Sequence, residues 1–192
     1  MRNSGSADGM RGQAGFSLVD IMMVTCIMGI ISSMAVFQLS QSRPAIQADG
    51  GMRVVMAQLN TARELAITQR RQMQVIFVDP NRVQIIRQEL ANNQTTVLSD
   101  VSIEGGVQYA LVSGVPDTPD AFGIGSAKYF GTATKTLFGT DGMLIDQSGN
   151  PANGTISLAI PAFKRTSRAV TVLGSTGRVR GYKWDGRQWV LV

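Results

Sequence analysis

The 192 residues carry 18 Lys and Arg against 13 Asp and Glu, a formal net charge of +5, yet only 16% of them are charged. Histidine is absent and the one cysteine, Cys26, lies in an apolar run, which excludes Cys/His zinc clusters, His-based catalytic triads and an intrachain disulfide. The acids beyond it are scattered without paired spacing, and Gly123-Ile124-Gly125-Ser126 lacks the spacing and the lysine of a P-loop, so neither an enzyme nor a cofactor or metal site is expected.

Residues 1–15, MRNSGSADGMRGQAG, form a short polar leader with Arg2 and Arg11 set against Asp8. Met10 offers an internal start that leaves only MRGQAG. From Phe16 to Leu39 the chain is apolar, and its only charge is Asp20. That length crosses a bilayer core as a helix. It is too long for a secretory h-region, and no A-x-A-like cleavage site follows it, so the helix is expected to stay in the mature protein. Positive charge in the leader keeps that side cytoplasmic. A lone carboxylate in lipid is costly, so Asp20 needs a partner. An ordinary signal anchor explains the same length and charge, and Gly29, Ser32, Ser33 and Ala35 serve equally as packing contacts or as helix filler.

Pro44 is expected to kink the helix near the membrane surface, which divides it into residues 16–44 and 45–72. The second part is amphipathic. Val55, Leu59, Ala62 and Ala66 recur at helical spacing as one buried stripe, while Arg53, Arg63, Glu64, Arg70 and Arg71 fall mostly off it. Gly50-Gly51 weakens the helix between the two parts.

Beyond Met73 the period changes to two. Met73–Val78 and Arg82–Ile86 flank Asp79-Pro80-Asn81, whose residues suit a turn. Further short strands are expected at Thr96–Leu98, Val107–Val112, Thr136–Phe138, Met143–Ile145, Thr155–Ile160, Ala169–Leu173, Arg178–Trp184 and Gln188–Val192. Ser113–Gly131, with its prolines and glycines, is expected to be a long loop. The last three strands are joined as hairpins through Gly174–Gly177 and Asp185–Arg187. The fold class is therefore α+β. A long N-terminal hydrophobic helix packs on an antiparallel, β-sandwich-like head over residues 73–192.

From Pro161 to the C-terminus there are seven basic residues and one acid, Asp185. By alternation Arg178, Arg180, Tyr182 and Trp184 share one face of a strand. Arginines interleaved with aromatics suit phosphates and stacked bases, which makes Arg178, Arg180, Lys183 and Arg187 candidate DNA contacts. A solvated strand edge, or a patch for an acidic neighbour, explains the same residues.

Gly15-Phe16-Ser17-Leu18-Val19-Asp20 resembles the processing site of type IV pilins and pseudopilins, in which a Gly-Phe junction is followed by an apolar helix with an acid at its fifth residue. The resemblance implies cleavage between Gly15 and Phe16 by a prepilin peptidase, N-methylation of Phe16, and pairing of Asp20 with the amine of a neighbouring subunit. The family nearly always has Glu where this chain has Asp20. Ala62–Ile67, Phe138–Gly142, Gly154–Leu158 and Gly177–Arg180 together resemble the GspH/FimT group of minor pseudopilins and minor pilins. That implies an inner-membrane, single-pass subunit with a periplasmic head. It would join other minor and major pseudopilins or pilins to start or cap a type II secretion or type IV pilus filament, and end at the filament tip. Gly177-Arg178-Val179-Arg180 also fits the G-R-x-R element of pilins in the group that take up DNA, which makes DNA the alternative partner.

Overall fold

The computed structural model describes residues 17–89, 94–131 and 136–192, with backbone alone for residues 37–41. The helix α1 (Leu18–Gln69) continues through Pro44. The chain divides into two compact units, Met1–Gln41 and Ser42–Val192.

The described part of the first unit is helical from Leu18 onward, and its side chains from Ser17 to Val36 are all exposed. Leu18–Val36 is a 19-residue stretch long and apolar enough to cross a membrane.

The second unit begins with the rest of α1. Val55, Leu59, Ala62 and Ala66 are fully buried, as their spacing predicts, and Met52 and Ala48 extend the stripe two turns back. Burying a valine or leucine side chain stabilises by about 1.5–3 kcal/mol each, which holds this part of the helix in the head despite its two glycines. Gly51 is required for close packing: a Cβ there would stand 2.8 Å from Ile103 Cγ2 and 3.0 Å from Val107 Cγ1. The residue that weakens the helix is the one that lets the sheet connection approach it.

Among the described residues, eleven strands form two antiparallel sheets. Five strands are ordered β3 (Thr95–Ser102), β2 (Arg82–Gln88), β1 (Met73–Val78), β6 (Thr136–Phe138) and β7 (Leu144–Ile145). Six belong to the second sheet, ordered β11 (Trp189–Leu191), β10 (Arg178–Trp184), β9 (Arg168–Leu173), β8 (Gly154–Ala159) and β4 (Gln108–Tyr109), with β5 (Lys128–Tyr129) also paired to β8. Inward residues of both sheets, among them Val75, Ile85 and Phe138 on one and Ile156, Leu158 and Val170 on the other, share one core with the α1 stripe.

The expected strands and hairpins are present with boundary changes, and two expectations need correction. The strand predicted over Val107–Val112 is reduced to Gln108–Tyr109. After Ala110 donates its amide to the Ser157 carbonyl (3.2 Å), the chain turns away from the sheet. The loop expected from Ser113 to Gly131 contains β5, held to β8 at Lys128↔Ile156 and Tyr129↔Thr155. Lys128 Nζ contacts both carboxylate oxygens of Asp79 at 2.8 Å and donates to the Phe77 carbonyl, so one lysine ties β5 to the end of β1. The flanking Gly123, Gly125 and Gly131 hide so short a strand from a periodicity argument.

Candidate functional site

Three regions carry the residues singled out in the sequence. The first is the start of α1. Gly15, Phe16 and the leader 1–15 lie outside the described residues. Asp20 is described. Its Oδ2 accepts the Ser17 amide at 3.1 Å, while Ser17 Oγ accepts the Val19 amide at 3.4 Å. The Ser17 carbonyl accepts the Asp20 amide at 3.0 Å. Ser17 and Asp20 thus form a reciprocal cap three residues apart, which satisfies donors that a helix start leaves open. The carboxylate thus bonds the main-chain amide of the residue that follows Phe16 in sequence. The helix that follows presents an exposed apolar surface without another charge through Val36.

The second region is β10. Alternation places Arg178, Arg180, Tyr182 and Trp184 on one face, as the sequence predicts, and Lys183 on the opposite face with Val179 and Gly181. Arg187 is in the β10–β11 turn, where the Asp185 carboxylate accepts its amide at 2.6 Å. The structure therefore does not gather the four basic residues into one surface. It also corrects the interleaved platform: Tyr182 is 6% exposed and Trp184 8%. The physical reason is the long loop, which lies over this face. Asp120 of the loop accepts from Thr171 Oγ1 at 2.6 Å and from Arg180 Nη1 at 2.8 Å, and Trp189 Nε1 donates to the Pro116 carbonyl at 2.9 Å. Trp184 packs edge-on against Trp189 with ring centroids 5.5 Å apart. Tyr182 and then Asp120 hold the Arg180 guanidinium more firmly charged, and burial pushes the Tyr182 phenol up. Of the two arginines on that face, Arg178 is exposed and Arg180 half-buried.

Arg168 is a second correction to the basic tail, in which Asp185 is the only acid. It is buried, and its Nε donates to Asp49 Oδ1 of α1 at 2.6 Å. Its Nη1 donates to the carbonyls of Arg165 and Ser167, and its Nη2 to that of Ala45. Charge from two other parts of the chain, Asp49 and Asp120, answers two of the seven basic residues.

The third region joins three of the segments singled out above. Arg63 Nε donates to the Gly142 carbonyl at 3.2 Å, and Gly177 sits against both: a Cβ there would meet that carbonyl oxygen at 2.0 Å and Arg63 Nε at 2.9 Å. Gly177 has φ +63. Nothing in the spacing of these segments foretold that they meet. Among the described residues no group of three or more His, Cys, Asp or Glu could hold a metal ion.

Comparison with solved structures adds the following. The chain is similar to minor pseudopilins and minor pilins. The minor pseudopilin EpsH of the type 2 secretion system of Vibrio cholerae aligns with a TM-score of 0.48 and 14% identity, over 71% of this chain and 97% of that one. The type IV minor pilin FimU of Pseudomonas aeruginosa strain PAO1 gives 0.49 and 13%, over 74% and 91%. A second EpsH structure gives 0.42 and 13%, over 73% and 93%. No protein-family model matches the chain, and no curated protein sequence matches it. At this identity, and with scores below 0.5, function has to be read from the chain's own residues.

Proposed function

We propose that this chain is a minor pilin-like subunit that a prepilin peptidase cuts between Gly15 and Phe16, and that it helps to initiate or cap a filament of the type II secretion or type IV pilus kind. Its role is non-covalent assembly. The observation that carries this reading is the apolar surface of α1, which begins immediately after the Gly15-Phe16 junction and has a single carboxylate, Asp20, in its first turn. Before assembly that surface is covered by lipid of the inner membrane, with the head on the periplasmic side. In the filament it is covered by helices of other pilins or pseudopilins. Both surroundings are apolar, so the transfer gains little from hydrophobicity, and packing with one electrostatic contact sets register. Asp20 supplies that contact toward the N-terminal amine of a neighbour. The cap with Ser17 supports this role, since it keeps the carboxylate at the helix start where an amine arrives.

The DNA alternative asks more of the geometry. Arg180 is committed to Asp120, Lys183 faces away from Arg178, and the strand's aromatics are buried. Assembly is the reading these features favour.

The deciding experiment expresses the chain with Gly15 or with Gly15→Leu beside an active prepilin peptidase, and determines the amino terminus by mass spectrometry. The parent is expected to begin at a methylated Phe16, and the variant to keep its leader and stay out of filaments. An intact leader on the parent, or normal processing of the variant, refutes the proposal.

A further inference from the structure

Asp49 and Asp120 answer Arg168 and Arg180, which leaves five basic residues of the C-terminal segment without an ion pair among the described residues. Four of the five, Lys164, Arg165, Lys183 and Arg187, lie at the end of the head where α1 enters it. Arg168 fixes that placement. Its guanidinium donates to the Ala45 carbonyl and the Asp49 carboxylate at the start of the head's helix, and to the Arg165 carbonyl. Lys183 stands opposite Arg168 in the β9–β10 register, and Trp184 donates its amide to the Ser167 carbonyl at 3.0 Å. The turn that holds Arg187 follows directly. Arg43, exposed and two residues before Ala45, adds a cation from α1 itself. The acids near this end are committed: Asp49 to Arg168, Asp185 to the amides of Arg187 and Gln188, and Asp117 to those of Thr118 and Gly123. Glu104, next to the Gly105 that packs on Gln47, is the exception.

Apolar groups sit among these cations. Residues 161–165 are all exposed, and Phe163 in their midst is more than half exposed. Ala162 before it is left-handed, φ +74, a conformation that alanine adopts only under constraint. Ile46, beside Ala45, is exposed as well. Phenylalanine among lysines and arginines is the composition of segments that lie in the headgroup layer of a bilayer, with the ring at the acyl boundary and the cations at phosphates. The chain itself brings such a layer near. Arg43 is seven residues beyond Val36, the end of the membrane-length apolar stretch, and seven residues span at most about 25 Å. DNA or an acidic protein would meet the same cations, but only a lipid surface is tied to this end of the head by the chain.

We propose that this end of the head docks on a bilayer containing anionic phospholipid, with Arg43, Lys164, Arg165, Lys183 and Arg187 at its phosphates and Phe163 in the boundary beneath them. Docking holds the head down while the apolar helix is in lipid, and is released when the subunit enters a filament. The proposal rests on the reading that places the apolar stretch in lipid, and not on processing.

The test uses the full-length chain carrying Phe163→Trp, reconstituted in vesicles of phosphatidylcholine with or without phosphatidylglycerol. Flotation first shows that the chain has entered the vesicles. Tryptophan emission is then read against the parent, which supplies the signal of Trp184 and Trp189, with brominated acyl chains as quencher. In anionic vesicles the added indole is expected to shift to the blue and to be quenched, with quenching at least about threefold weaker in neutral vesicles. The same fall is expected on raising salt from about 0.1 M to about 1 M, which cuts the Debye length from about 10 Å to about 3 Å. Lys164→Gln, Arg165→Gln, Lys183→Gln and Arg187→Gln together are expected to reproduce it with Tm little changed, since all four side chains are exposed. Arg178→Gln, at the far end of β10, is expected to change nothing. Quenching that is equal in both vesicles and indifferent to salt would mean that the tether alone brings the loop to lipid, and overturns the proposal. So does a floating chain without quenching in either vesicle. So does a DNA probe shifted by the parent and not by the fourfold variant, without a vesicle response, which would assign the cations to nucleic acid. A chain that does not float refutes the membrane reading and this proposal together.

Discussion

The Nε of Arg63 donates to the main-chain carbonyl of Gly142 across 79 residues of sequence, at 3.2 Å. One arginine on α1 therefore fixes the turn after β6, and the β9–β10 turn closes on the same point through Gly177. Gly177 is strained for any other residue, with φ +63 and no room for a Cβ beside the Gly142 oxygen. Gly177→Ala is expected to destabilise the head by about 2 kcal/mol or more, from left-handed backbone strain plus a backbone clash. Denaturant unfolding checks this through the midpoint at unchanged slope. A loss below about 0.5 kcal/mol would show that the turn relaxes freely.

Arg168 predicts a larger loss. It is 3% exposed and bonds Asp49 and three main-chain carbonyls. Removing one partner of a buried pair leaves the others unanswered, at about 3–5 kcal/mol when both are sealed from water. The Asp49 side chain is 37% exposed and recovers hydration, so Arg168→Ala is expected to cost about 2–3 kcal/mol. Arg168→Lys keeps the charge and loses the fork, and is expected to recover only part of that. Equal stability of all three proteins in thermal unfolding would show that the pair is dispensable.

How much of this was legible depends on the distance over which a residue acts. The stripe Val55, Leu59, Ala62, Ala66 was legible because burial of one helix face is written in its own period. The β9–β10 and β10–β11 hairpins were legible because their turns carry their own glycines and Asp185. The bond from Arg168 to Asp49 spans 119 residues, and no local pattern encodes it. Alternation told which β10 residues share a face. It could not tell that the loop around Asp120 covers that face, which turned an expected platform of Tyr182 and Trp184 into core.

The exposed Arg178 and the committed Arg180 should separate a DNA contact from a structural one. Arg178→Gln is expected to leave stability within about 0.5 kcal/mol of the parent. Arg180→Gln is expected to lower it, because Asp120 loses a charged donor while keeping Thr171. Neither change is expected to alter mobility of a DNA probe in a low-salt gel, where the parent itself is expected to give no shift. A parent shift that weakens steeply with salt and is lost in Arg178→Gln would instead establish phosphate contacts through counterion release.

Acid should loosen the β10–β11 turn. Amides of Gln188 and then Arg187 donate to Asp185, which lowers its pKa below the ordinary 3.8. A carboxyl with a lower pKa folded than unfolded contributes stability above the unfolded value, and loses it as pH falls through the folded one. The stability difference between the parent and Asp185→Ala is therefore expected to be full at neutral pH and to shrink below about pH 4. Urea melts of both proteins at a series of pH values read the difference directly, and a gap independent of pH would assign the turn to its backbone alone.

Asp20 separates capping from assembly, because the two need different properties of one side chain. The Ser17 amide needs only an acceptor, which Asn also provides. An amine from a neighbouring subunit needs a negative charge in surroundings that screen it little. Asp20→Asn is therefore expected to be processed and to enter the membrane normally, yet to be lost from sheared filaments by at least tenfold. Asp20→Glu restores the charge on a longer arm and is expected to recover assembly, whereas Asp20→Ala removes both functions. Filament incorporation of Asp20→Asn at the parent level would leave the carboxylate as a helix cap and remove it from the assembly contact.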